Sequence, residues 1–547
     1  MASKGAGGRK GKVAGWAVGL LLKVLWTAFV ITTPVLGVWG ASSIAAYQNG
    51  PVWLVMLSGL LLFPILPVAW DLLSRLLRAR RVAKRQKAAD RAGRGKVKAK
   101  SFLTWYDRLI LRTLAVNLLF IGVLLGTHPM VAFEALSARG DWFLEGRTGP
   151  TADAWRGRLY WAADRLEWLY VAVKDNPFRD QLEHTDVEPP DPGQAGEVLP
   201  RSDATGERPS EPSARPSPST SASAEPAPSS SATADAGEVP TPDEPADDPA
   251  SRQRRWPLLA ELHPAVRSIP EDAEKSLESV GEYLASQEQD TFFRVKAVHD
   301  YVADRVAYDA PAYVEGRYPP QDAATVFRTG TGVCAGYANL AAAMGRAADL
   351  EIVVVGGDSR DEQGGISGGG HAWNAVKVDG GWYLMDVTWD SGTVSGRTFK
   401  KGYRTTYLYT PPKVFGVDHL PDNPRWQLRD EPLSRGDFIR QPMMSTRFFE
   451  FGLELLQPDR SQVTVASYFE LVVRNPRSRE LLVDYVPLGS RGQGERECSV
   501  EGQSQVRGRC QFEGDGQYEV RLLAITERTS NSWTGLYVGK IQVNVAQ

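Results

Sequence analysis

Cys334, His371 and Asp386 are the residues whose types and spacing could carry a reaction. Cys334 stands in GTGVCAGYANL, between a glycine-rich turn and an alanine-rich run that reads as a helix. A buried cysteine usually behaves as a small hydrophobe. At a helix N-terminus the dipole and free N–H groups instead favour thiolate over thiol. His371 opens HAWNAVKV and Asp386 lies in WYLMDVT, two runs that flank Asp379-Gly380, a strong hairpin signal. With a two-residue turn, Val378 pairs with Gly381, Trp373 lies opposite Asp386 and His371 lies opposite Thr388. His371 and Asp386 are then diagonal neighbours on one face, whereas a three-residue turn would separate them. The chemistry would be nucleophilic. His371 can take the thiol proton and return it to a leaving amine, Asp386 can orient and stabilise the imidazolium, and the Cys334 N–H is a natural oxyanion donor. Gly330, Gly332 and Gly336 would keep the approach free of bulk. Each of the three reactive residues also has an ordinary structural reading, and spacing does not choose between them.

Other residues are candidates of a second rank. Gln321, in YPPQDAATVF, would complete an oxyanion hole or serve as a loop amide bonded to backbone. Trp373 would shield the site from water or fill the core. Asn374 and Asp390 read as residues holding strand ends, and His299 and His419 as packing or surface histidines. Asp358, Asp361 and Glu362 read as a solvated acidic cluster. No metal and no organic cofactor is expected, since the chain has no Cys-x-x-Cys, no His-Glu-x-x-His, no phosphate loop and no calcium loop.

The elements that must position these residues lie in a chain of 547 residues, long enough for two to four domains. Residues 292–308 and 334–348 read as helices and 351–355 as a short buried strand. Beyond residue 443 short alternating runs (TVASYFELVV, RELLVDYVPL, GQYEVRLLAI, GLYVGKIQVNV) suggest an all-β sandwich. Cys498 and Cys510 fall there, with Cys334 left over from the three cysteines. One disulfide and one working thiol would fit an oxidising compartment, and three unrelated thiols are the alternative.

The N-terminal third reads as a membrane module. Residues 24–48, 51–70 and 113–133 are uncharged runs, each about the ~20 residues a bilayer requires. Basic residues precede the first run and crowd residues 75–100. The positive-inside rule sets both segments in the cytoplasm and everything after the third span outside. A net charge of -2 gives no reason to expect a nucleic-acid partner, and lipid accounts for the basic loop. Residues 138–185 carry a helical apolar spacing that suits a membrane surface or a small core. Residues 186–252 are rich in Pro, Ser, Ala and acid and read as a disordered linker holding the rest away from the membrane.

TGVCAGYANL followed by HAWNAVKVDGGWYLMDVTWD resembles the transglutaminase-like superfamily, as does the upstream VKAVHDYVADRVAYD. YLYTPPKVFGVDHLPDNPRWQL resembles a segment of its kyphoscoliosis-peptidase branch. The resemblance covers about residues 257–430. It implies a papain-like fold with a Cys-His-Asp triad at Cys334, His371 and Asp386. The expected architecture is an α-helical membrane module (1–137), a juxtamembrane helical segment (138–185), the linker (186–252), an α+β papain-like or transglutaminase-like catalytic domain (253–440) and a β-sandwich (441–547). The expected function is amide chemistry on protein or peptide through a thioester, completed by water or an amine, at the outer face of a membrane. A catalytically inactive scaffold is one alternative. A surface adhesion protein using its β domain against cell-envelope components is another.

Overall fold

The computed structural model describes residues 7–48, 50–91, 103–145, 147, 149–174, 176–183, 187–191, 193–198, 254–360, 366, 370–490, 494–529 and 532–545. Among the described residues, three helices are long and apolar enough to cross a membrane: Leu20–Tyr47, Val52–Lys87 and Trp105–Thr127. The third is displaced from its expected range. It starts early because Thr104 and Asp107 form a capping box, and it stops at His128, where Pro129 begins the separate helix Pro129–Arg139. Phe133 therefore lies outside the span, in a core with Tyr170 and Ile439.

That core joins the N-terminal region to the rest of the chain. Arg440 donates to the Ser137 carbonyl at 2.9 Å, Arg460 pairs with buried Asp141 at 2.7 Å, and the Arg435 guanidinium lies over the Tyr170 ring. Asp358 is buried and paired with Lys174 and Arg435, which corrects its reading as solvated. Asp361 and Glu362 lie outside the described residues. Residues 187–191 and 193–198 also depart from the linker reading. Gly196 donates to the Trp382 carbonyl at 2.7 Å and Trp382 to Gln194 at 2.8 Å, so this stretch runs along the central sheet. The rest of the expected linker, residues 186, 192 and 199–252, lies outside the described residues.

The central domain is α+β. Its helices α1 (Thr291–Arg305) and α2 (Cys334–Ala347) pack on a five-stranded antiparallel sheet made of β1 (Glu351–Ser359), β2 (His371–Val378), β3 (Gly381–Met385), β4 (Leu408–Thr410) and β5 (His419–Pro421), in the order β4-β3-β2-β1-β5. Val378 pairs with Gly381 and Asn374 with Met385, the register of a two-residue turn. Asp379 and Gly380 both have positive φ (51° and 86°), as a type I′ turn requires. One face of β1 and β2 (Ile352, Val376) meets α1 and α2 through Val298, Val302, Leu340 and Met344. The other face carries Trp373, Trp382, Phe415 and Trp426.

The C-terminal region is β-rich. Trp533–Val545, Gly516–Arg528 and Leu481–Pro487 head one sheet, and Tyr468–Arg474 and Gln505–Gln511 the other. They enclose one core including Leu471, Val483, Leu522, Ile541 and Cys510. Cys498 and Cys510 are joined by a disulfide, and Cys334 is a free thiol.

Candidate active site

Cys334 is the first residue of α2, after the N-cap Val333, so the helix leaves its N–H without an intrahelical acceptor. The local sequence has packing reasons for its glycines. Gly330 caps helix Ala323–Thr329 with φ +61°. A Cβ on Gly336 would fall 2.5 Å from Gln321 Oε1 and 2.8 Å from Val326. The glycines therefore admit neighbouring side chains to the helix start, rather than clearing an approach for substrate. Gln321 Oε1 accepts from the Val333 N–H at 2.8 Å, and its Nε2 donates to the Pro319 carbonyl at 2.9 Å. That amide braces the turn carrying Cys334.

His371 opens β2 and is buried. Its Nε2 lies 2.8 Å from Asp386 Oδ2, which leaves Nδ1 as the nitrogen able to meet a thiol. Asp386 ends the strand rather than continuing it. It is the N-cap of α3 (Val387–Ser391), and its Oδ1 accepts from the Thr388 and Trp389 N–H groups at 2.8 and 3.2 Å. The expected Thr388 strand position is thus replaced by a helix turn. One carboxylate oxygen fixes the helix and the other receives imidazoles.

The second imidazole belongs to His419. Its Nε2 is 3.1 Å from Asp386 Oδ2, and its Nδ1 is 2.6 Å from Asp418 Oδ1. Tyr407 donates to Asp418 Oδ2 at 2.6 Å. The reading of His419 as a packing or surface histidine is corrected: it is buried in the site, two strands from His371. Gly357 of β1 makes this possible. A Cβ there would lie 2.5 Å from the Trp373 ring and 2.3 Å from the Leu420 carbonyl. Trp373 is 1% exposed, 5.9 Å from the His371 ring and 5.1 Å from that of His419, so it walls both imidazoles off from water.

Electrostatics follow from this arrangement. Burial alone would lower the His371 pKa, but the Asp386 charge and hydrogen bond, with smaller help from a hydrogen bond and charge at Cys334, push it up to about 9. His419 is likewise opposed by burial and raised to about 9 by Asp418 and Asp386. Burial would raise Asp386, and the two imidazoles, His371 first, more than reverse that and hold it well below the usual carboxylate range. His371, Asp386 and His419 thus favour one another's charged forms in the interior. The ligand atoms of His371, Asp386 and His419 lie within 4.8 Å of one another, a spacing that could hold a metal ion. Their hydrogen bonds already account for that spacing.

Of the remaining candidates, Asn374 donates to the Ala338 and Val353 carbonyls, tying α2 to β1. Asp390 accepts from His299 Nε2 at 3.2 Å and the Tyr407 N–H at 2.9 Å. His299 also meets Asp300 at 3.0 Å. It is a buried cross-link between α1 and α3 rather than a surface residue. Sequence reasoning missed the role of His419, whose only signal was its presence in the quoted VFGVDHLP segment. It also missed Phe178, which is buried in one cluster with Val333, Cys334, Ala335, Ala338 and Ala372.

Residues 278–387 match the family described as the transglutaminase-like superfamily. The chain is similar to the kyphoscoliosis peptidase of Mus musculus, at 35% identity over 31% of this chain and 27% of that protein. It is similar to the same protein of Homo sapiens, at 32% over 35% and 30%. The chain thus spans less than a third of the length of these curated relatives. A solved structure titled "Crystal structure of a TGase" is 24% identical, covering 24% of this chain and 34% of that one at a TM-score of 0.18.

Proposed function

Residues 278–387 belong to the transglutaminase-like superfamily, and from that premise we propose that the chain is a membrane-anchored cysteine acyl-transfer enzyme acting on protein or peptide amides. Cys334 Sγ attacks the amide carbonyl as a thiolate, its proton already held by the His371 imidazolium. The tetrahedral oxyanion is met by the Cys334 N–H, with the second Gln321 amide hydrogen as a further candidate donor. The C–N bond then breaks, the amine leaves with the proton from His371, and a thioester remains. Water or a second amine, deprotonated by His371, attacks the thioester and releases Cys334. The chain's similarity to the kyphoscoliosis peptidases favours water as the acceptor.

The observation that carries this reading is the buried 2.8 Å bond between His371 Nε2 and Asp386 Oδ2. It fixes the imidazole and leaves Nδ1 for the thiol. Support for an outer location comes from the basic residues flanking the spans and from the Cys498–Cys510 disulfide, which suits an oxidising compartment. The C-terminal β region would then face cell-envelope material. The test is incubation of the full chain in detergent with a glutamine-containing peptide library, with and without a primary amine. Cleavage, deamidation or amine incorporation is expected, with a loss of at least ~10³-fold in Cys334→Ala and His371→Ala. Product formation that survives both substitutions would sink the assignment. A second reading, a scaffold without turnover, is favoured by one observation: Cys334 is 1% exposed. It predicts no product from any library and no effect of Cys334→Ala on the cellular role.

A further inference from the structure

The burial of Cys334 comes from a particular piece of chain. Residues 176–183 follow the helix Glu167–Val173 and cross the start of α2. Phe178 is fully buried against Cys334 and its neighbours, with the Tyr318 ring 5.0 Å away. Beyond a single helical turn the strap becomes extended at Leu182 (φ −77°, ψ 129°). There Asn339, itself fully buried on α2, reads its main chain. Nδ2 donates to the Gln181 carbonyl at 2.7 Å, and Oδ1 accepts the Glu183 N–H at 2.9 Å. A carbonyl and the N–H two residues on, both bound by one amide group, reproduce the bonding of a parallel β ladder. Such contacts recognise extended backbone whatever its side chains. The aromatic pocket supplies the selectivity that the backbone contacts lack.

Resting on the acyl-transfer reading above, we propose that the Phe178 pocket and Asn339 form the substrate cleft beside Cys334, and that it takes an extended peptide carrying an aromatic side chain. In the resting chain the strap occupies that cleft in the substrate's stead. A substrate protein must displace residues 176–183 before Cys334 can reach its amide.

With Cys498 and Cys510 joined, Cys334 is the single free thiol, so alkylation by iodoacetamide without reductant reports the cleft directly. The full chain in detergent is expected to react slowly, and Phe178→Ala at least about tenfold faster, because the side chain that closes the site is gone. The peptide NPFRDQLE, copied from residues 176–183, should return the variant to slow labelling, while the same peptide with Ala for Phe should not. Phe178→Leu keeps an apolar side chain and the fold, and should label about threefold faster than the parent chain. Unchanged rates in both variants overturn the proposal, as does acceleration that neither peptide, or both equally, reverse. Protection needs no turnover, so protection without any acyl transfer would remove the proposed enzyme and keep the cleft. Aromatic-independent turnover with no peptide protection would do the opposite.

Discussion

At the scale of the residue, Asp386 holds two jobs that a single substitution separates. Its two oxygens cap α3 and receive two imidazoles. Asparagine keeps one acceptor oxygen and turns N–H donors toward groups that were themselves donating. Asp386→Asn should therefore cost about 1 kcal/mol or more if the cap is lost, and acyl transfer should fall by ~10³–10⁴-fold because His371 loses its tautomer and orientation. The pH dependence has a definite sign. His371 and His419 are raised to about 9, so their contribution to stability is full below the ordinary imidazole value of about 6.5 and is lost as pH rises through about 9. Asp386 is depressed. Its contribution is present above about 3.9 and is lost as pH falls through its lowered value. The melting temperature should be highest between about pH 4 and 6.5 and decline toward pH 9. Scanning calorimetry of the parent and Asp386→Asn checks this, and an equally steep alkaline decline in the variant would contradict it.

At the scale of the element, legibility tracks sequence distance. The β2–β3 hairpin was readable because two adjacent turn residues with positive φ fix its register, and that register carries His371 toward Asp386. The extent of β3 was less so. WYLMDVT reads as one strand, but Asp386 prefers to accept the N–H groups that follow it, and a helix begins. β5 was not legible. It has three residues, and its histidine reaches the site across β1 only because Gly357 leaves room for the Trp373 ring. Nothing local in VDHLP announces a contact two strands away. Gly357→Val should therefore displace β5 through its clash with the Leu420 carbonyl, destabilising by roughly 1–3 kcal/mol. In histidine NMR spectra the His419 resonance should move while that of His299, on α1, stays. Retention of the His419 shift would show that β5 does not depend on the glycine.

At the scale of the whole molecule, composition divided the chain correctly into a helical N-terminal part, a central α+β part and a β-rich end. It could not show how they meet. The expected separation by a linker gave way because the residues before it (Tyr170, Lys174, Phe178) and its own first stretch, which runs beside Trp382, carry their own anchors. Each is ordinary in composition, and each is committed by a partner well over a hundred positions away, such as Lys174 by Asp358.

That docking changes what a break in the backbone would mean. Residue 198 and residue 254 both lie against the central domain, Arg254 pairing with Asp290 at 2.5 Å and Val198 packing on the main core. Both flanking residues are thus anchored on the same body, so the two halves are held together by more than the peptide bonds between them. A protease nick between residues 199 and 253 should yield two fragments that separate on a denaturing gel yet migrate as one species by size-exclusion chromatography in mild detergent. In that nicked complex the central domain should remain a passenger of the helical N-terminal part, with no peptide bond between them.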